Sequence, residues 1–119
     1  MEKNDVVVVS AVRTPFGKFG GTLKDIPSID LGAMVIREVL QRVNVKGEEV
    51  EETYYGAAIP IEVGLETDVP ARQATLRGGM PADSISLTVD RACCSSLAAV
   101  RLGFRGIKTG EIEIALEET

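Results

Sequence analysis

Short runs of β-branched and apolar residues alternate with helix-length segments along the whole chain, and this alternation restricts the fold more than any other feature. The strand-like runs are Val6–Ser10, Thr53–Ile59, Ile85–Val89 and Ile112–Leu116. Between the first two, Ile29, Ala33, Ile36, Leu40 and Val43 recur at helical spacing, behind Pro27 and a capping Ser28, with Asp30 in the first turn and Asn44 to Gly47 as the stop. A second helix is predicted from a capping Asp68 and Pro70 to the Gly78-Gly79 pair. A third carries Leu97, Val100, Phe104 and Ile107 on one apolar stripe, expected to be core, and ends at Gly110. The order β-α-β-α-β-α-β predicts an α/β fold with a mostly parallel sheet and helical crossovers.

The 119 residues suffice for one small domain with a core, and 45% apolar with 26% charged residues is ordinary for a globular protein. Net charge is −5, with acids gathered at Glu48 to Glu52 and Glu111 to Glu118. These acidic clusters are expected on solvated faces and helix ends. There is no basic stripe for nucleic acid. No apolar run is long enough for a membrane-spanning helix, and "MEKNDVVVVS" lacks the apolar core of a signal peptide. The chain stops at Thr119, directly after its last strand. Residues 1–119 are therefore read as an incomplete domain.

Chemistry concentrates in "DRACCSS", Asp90 to Ser96. The only two cysteines, Cys93 and Cys94, sit side by side where the third strand turns into the third helix. Adjacent cysteines rarely bridge, so reduced thiols and a cytoplasmic setting are expected. A thiol at a helix start meets unpaired N–H groups and the positive end of the helix dipole, which favour thiolate. The junction is like a nucleophile elbow, with amides at hand for an oxyanion. Free cysteine is more often a small buried hydrophobe, and position alone favours that reading over a nucleophile. The chain has no histidine, so it cannot complete a Cys-His or Ser-His-Asp set by itself, and a zinc site is not expected.

Four segments, in order, resemble the thiolase family, which includes acetyl-CoA C-acetyltransferase and 3-ketoacyl-CoA thiolase. "VVVVSAVRTPFGKFGG" is similar to the family's opening strand and Arg-Thr-Pro loop, and "SIDLGAMVIREVL" to its first helix. "DVPARQATLRGGMP" resembles its Asn-Pro-Ala-Arg-Gln-Ala helix, and "TVDRACCSSLAAV" its Asn-x-x-Cys-Gly-Ser-Gly nucleophile segment. The resemblance covers the N-terminal part of a family chain. It implies a thiolase-like N-terminal half with Cys93 as the acyl-accepting nucleophile and the Cys93 N–H as one oxyanion donor. The implied reaction is acyl transfer between coenzyme A thioesters, either condensing two acyl-CoA molecules or cleaving a 3-ketoacyl-CoA. No cofactor beyond these substrates is implied, and neither metal nor membrane. The expected assembly is a homo-oligomer paired through the third-strand region, or a complex with a chain carrying the rest of the fold.

Departures from the family pattern are Asp90 for the asparagine, Cys94 and Ser96 for the glycines beside the serine, and Glu118 and Thr119 for a Gly-Gly pair. The family's base histidine, second cysteine and CoA-binding loop domain have no counterpart in these residues. Two other readings stand beside this one. A ketoacyl-synthase relative would condense with decarboxylation, and "RTPFGKFGG" argues against it. A non-catalytic fragment or small subunit would lend Cys93 to a partner that carries the histidine.

Arg13, Thr14 and Pro15 are read as structural, with Pro15 fixing a turn and Arg13 pairing with an acid or with carbonyls. Arg72 and Gln73 are read as scaffold between helix and loop. Gly17, Gly20 and Gly21 lack a phosphate-loop pattern.

Overall fold

The computed structural model describes residues 5–58 and 69–118. Helix α1 spans Ser28–Val43, strand β1 Glu52–Gly56, helix α2 Pro70–Arg77, strand β2 Ile85–Val89, helix α3 Ser95–Thr109 and strand β3 Ala115–Glu118. The sheet is parallel throughout, in the order β2-β1-β3, with Tyr54 of β1 level with Leu87 and Glu117. The α/β class and the parallel sheet agree with the sequence pattern.

Strand periodicity divides the core. Tyr55 joins Ile29, Ile36, Val50, Ala71, Ala74, Met80 and Leu116 in the larger cluster, which α1 and α2 cover. Tyr54, pointing the other way, meets Ala99 and Ile112 under α3. Ile36 is fully buried, at 0% exposure. Ile36→Ala is expected to cost about 3 kcal/mol, the usual range for emptying such a site. A urea midpoint unchanged from the native chain would contradict that packing. An Arg77–Asp30 ion pair at 2.7 Å and the Arg37 guanidinium on the Arg77 carbonyl tie α2 to α1.

Helix ends follow local chemistry. Asn44 and Gly110 close α1 and α3 in the left-handed region, at φ 54° and 80°. Ser28 is the first residue of α1 rather than its cap. Pro27 holds the cap position, with its carbonyl accepting from the Asp30 and Leu31 N–H groups. The predicted Asp68 cap lies outside the described residues. The Ala71 N–H at the start of α2 donates to Thr88 Oγ1 of β2 at 3.1 Å.

Several sequence expectations are corrected. Val6–Ser10 is not a strand. It pairs with nothing in the sheet, and Val8 is 82% exposed. A β-branched run becomes a strand only where an edge receives it. Here the run borders a groove of about 230 Å³ whose other walls include Val43, Phe104 and Leu116. The second strand starts one residue before the expected one and ends at Gly56, and Ile59 lies outside the described residues. The last strand begins at Ala115 rather than Ile112, because the Glu111 and Ile112 N–H groups first close α3 on the Gly106 carbonyl.

The third helix is also turned relative to expectation. Its buried face is Ser95, Ala99, Gly103 and Gly106, whereas Leu97 is 70% exposed and Val100 and Phe104 are about half exposed. Glycines on the inner face let the helix backbone sit directly on the sheet. A Cβ at Gly103 would lie 3.1 Å from the Ala115 Cβ of β3 and closer still to the Glu117 side chain. Finally, the acidic cluster at the C-terminal end is not all solvated, since Glu118 is buried and Glu117 half-buried in β3.

Candidate active site

The strands of a parallel sheet present their carboxyl ends on one side, and ligands of such folds bind there. In this chain that side carries Gly56 at the end of β1, Val89 at the end of β2 and Glu118 at the end of β3. Asp90 to Cys94 leave β2 and turn directly into α3. Cys94 is the residue before the helix, at φ −102° and ψ 12°, and gives it no side-chain cap. Both thiols are exposed and unbridged. Cys93 is therefore presented at a strand-to-helix turn, as the sequence predicts, and neither cysteine is part of the core.

The turn is tightly specified. Ala92 has φ +50°, one of the two non-glycine residues with positive φ among those described. An alanine there costs about 1–2 kcal/mol, so neighbouring groups must hold it. Asp90 Oδ1 accepts from the Ala92 N–H at 2.9 Å. The Ser95 hydroxyl accepts from the Arg91 N–H at 2.8 Å and donates to the Ala92 carbonyl at 2.7 Å. The Cys94 N–H donates to the Arg91 carbonyl at 3.0 Å. Ser95 thus staples the turn from inside the first helical turn.

Gly56 lets this turn seat on the sheet. A Cβ there would stand 2.7 Å from the Ser96 nitrogen and 2.8 Å from the Ser95 carbonyl carbon. Both are backbone atoms, so no rotamer change relieves the clash. Gly56→Ala is expected to cost about 2–3 kcal/mol and to push the start of α3 away from β1. Urea unfolding reads the stability, and an unshifted midpoint would show that the turn does not rest on Gly56.

A cavity of about 550 Å³ opens beside the site. Its lining includes Arg13 and Thr14 of the N-terminal loop, Tyr55, Ser96, Val100 and Glu118. Cys93 is not among its lining residues. Arg13 donates to the Thr14 carbonyl at 3.1 Å and lies 4.9 Å from the Phe16 ring centre, which fits the structural role expected of it. Arg72 donates to the carbonyls of Ser84, at 2.9 Å, and of Ala82, clamping the turn into β2. That too is a scaffold role. Sequence reasoning missed the bridging role of Ser95 and the close approach at Gly56. Among the described residues no cluster of His, Cys, Asp and Glu could hold a metal ion, and no helix is long and apolar enough to cross a membrane.

Comparison with known proteins places this geometry in a family. Residues 6–117 match the family model described as thiolase, N-terminal domain. An acetyl-CoA acetyltransferase of Cupriavidus necator is 44% identical over 112 residues, which is 94% of this chain and 28% of the relative. One from Schizosaccharomyces pombe is 39% identical over 116 residues, 98% of this chain and 29% of the relative. A probable acetyl-CoA acyltransferase of Staphylococcus aureus is 37% identical over 111 residues, 93% of this chain and 28% of the relative. The chain thus spans under a third of the length of these relatives. With a match running from the Val6 run into β3, the chain belongs to the thiolase family, by its N-terminal domain.

Proposed function

We propose that this chain supplies the nucleophile for acyl transfer between coenzyme A thioesters, and that Cys93 is that nucleophile. One observation carries the reading: an exposed cysteine follows a left-handed Ala92 at the start of α3, on the carboxyl side of the sheet. The names of the relatives, acetyl-CoA acetyltransferase and acetyl-CoA acyltransferase, supply the substrate class.

The Cys93 thiolate attacks the thioester carbonyl, and the tetrahedral oxyanion collapses with loss of the coenzyme A thiolate, which takes up a proton. The product is an acyl-enzyme on Cys93. The Cys93 N–H serves as one oxyanion donor. In condensation, as of acetyl-CoA to acetoacetyl-CoA, a second acyl-CoA then accepts the acyl group as a carbanion. In thiolysis Cys93 instead attacks the 3-keto carbon of a 3-ketoacyl-CoA, the C2–C3 bond breaks with loss of an acetyl-CoA carbanion that takes up a proton, and free coenzyme A accepts the acyl group left on Cys93. The chain has no histidine, so an imidazole base for the first step must come from outside these 119 residues. Coenzyme A thioesters are the substrates, and the reading needs no further cofactor.

Homo-oligomerisation and a cytoplasmic setting belong to the same reading. The first is supported by β2, an edge strand that exposes Ile85 and Leu87, and by the exposed stripe on α3. Two free, exposed thiols support the second.

The test is peptide mapping by mass spectrometry after the protein carrying this chain is mixed with acetyl-CoA. An acetyl group is expected on Cys93. An adduct confined to Cys94 would overturn the assignment.

A further inference from the structure

We propose that Ser95 is a positioning residue, whose buried hydroxyl holds the Arg91–Cys94 turn in the shape that presents Cys93 to an acyl thioester. The inference rests on the reading of Cys93 as nucleophile.

Cys93 is exposed, so its placement depends on the backbone on either side of it. Before it stands Ala92 in the left-handed region, a conformation with no intrinsic preference for alanine. Left alone, that residue would return to the right-handed or extended region, and the Cα–Cβ direction of Cys93 would swing with it. Ser95 opposes this from two sides. It is 3% exposed, accepts from the residue before Ala92 and donates to the carbonyl of Ala92 itself. The Ser95 N–H adds a second donor to that carbonyl, at 3.1 Å. A serine serving only as a helix cap would bond to amides within the helix. This one bonds backward, across the reactive residue, to the Asp90–Arg91 and Ala92–Cys93 peptides, so it fixes the backbone on both sides of Ala92.

Alanine at 95 keeps the packing against Gly56 and removes only the hydroxyl. The Arg91 N–H then has no Oγ acceptor, and the Ala92 carbonyl keeps one donor of two. Small misplacements of a reacting group cost up to about 100-fold in rate. In single-turnover acylation by acetyl-CoA, Ser95→Ala is expected to lower the rate constant by about 10- to 100-fold. Half-saturating acetyl-CoA and the iodoacetamide reactivity of Cys94 should stay close to the native values. Acylation at the native rate would overturn the proposal, and so would parallel losses at Cys93 and Cys94. Absence of a Cys93 adduct in the unsubstituted protein would instead overturn the nucleophile reading itself. Amide exchange on the unsubstituted chain gives an independent check that needs no variant. The Arg91 N–H is expected to exchange slowly because its acceptor is buried, and free exchange would remove the staple and the proposal with it.

Discussion

Cys93→Ser is expected to abolish the acyl adduct formed from acetyl-CoA, while Cys94→Ser leaves it in place. The two thiols differ in what precedes and follows them. Cys93 lies between the left-handed Ala92 and the residue that begins the helical turn, so its direction is set by the stapled peptides on its N-terminal side. Cys94 is the helix-flanking residue, and its carbonyl already accepts the Ala98 N–H at 2.9 Å as the first bond of α3. A serine at 93 keeps the shape and removes the chemistry. A hydroxyl is far less acidic than a thiol, so at neutral pH it gives almost no anion to attack the thioester. The measurement is intact-mass and peptide-level spectrometry on the unsubstituted protein and both variants, with urea unfolding to confirm that each is folded. Retention of the adduct in Cys93→Ser, or its loss in Cys94→Ser alone, would reverse the roles.

The order of elements from α1 onward and the place of the cysteine junction were legible because each rests on local chemistry. Asn44 and Gly110 end their helices by adopting positive φ, and Pro70 opens α2 at a position where its missing N–H costs nothing. What local chemistry does not carry is which apolar surface finds a partner. Leu97, Val100 and Phe104 do form a stripe, yet the helix lies on the opposite face. The signal was present in Ser95, Ala99, Gly103 and Gly106, which recur at helical spacing and let a helix approach a sheet more closely than leucine or phenylalanine would. Apolar periodicity says that one face is apolar. It does not say that this face is covered.

The same distinction explains the Val6–Ser10 run and the site itself. Four successive valines have strong strand preference, but a ladder needs an edge in register, and neither β2 nor β3 pairs with them. At the site, cysteine at a strand-to-helix boundary was readable as chemistry. The positive φ of Ala92 was not, because nothing in an alanine asks for it. The backward bonds of Ser95 were equally hidden, since a serine at a helix start reads first as a cap.

Glu118→Gln is expected to make the chain more stable at pH 8 than its unsubstituted form, with the difference shrinking as the pH falls towards 4.5. Glu118 is 7% exposed, and its Oε2 has no hydrogen-bond partner among the described residues. Its other oxygen and the Tyr55 hydroxyl crowd Gly32, where a Cβ would meet them at 2.6 and 2.7 Å. Arg13 lines the same cavity but bonds to the Thr14 carbonyl, and neither ion pair among the described residues involves Glu118. With burial unopposed by a cation, the carboxyl is pushed up from 4.5 to about 8. Burial raises Glu117 beside it in the same direction. Below 4.5 the folded and unfolded chains both hold the proton, and stability is full. Between 4.5 and about 8 the unfolded chain releases it and the folded chain does not, so stability falls as pH rises. Above that window both forms are ionised and the loss is complete, on the order of 5 kcal/mol at about 1.4 per tenfold change in proton affinity. Glutamine has the shape of the protonated acid and no proton to lose, so it should remove this part of the slope and leave the contribution of Glu117. Urea midpoints at several values between pH 4.5 and 8.5 give the comparison directly. A constant difference across the range, or a glutamine variant less stable at pH 8, would mean that Glu118 is solvated and that the end of β3 does not close over it.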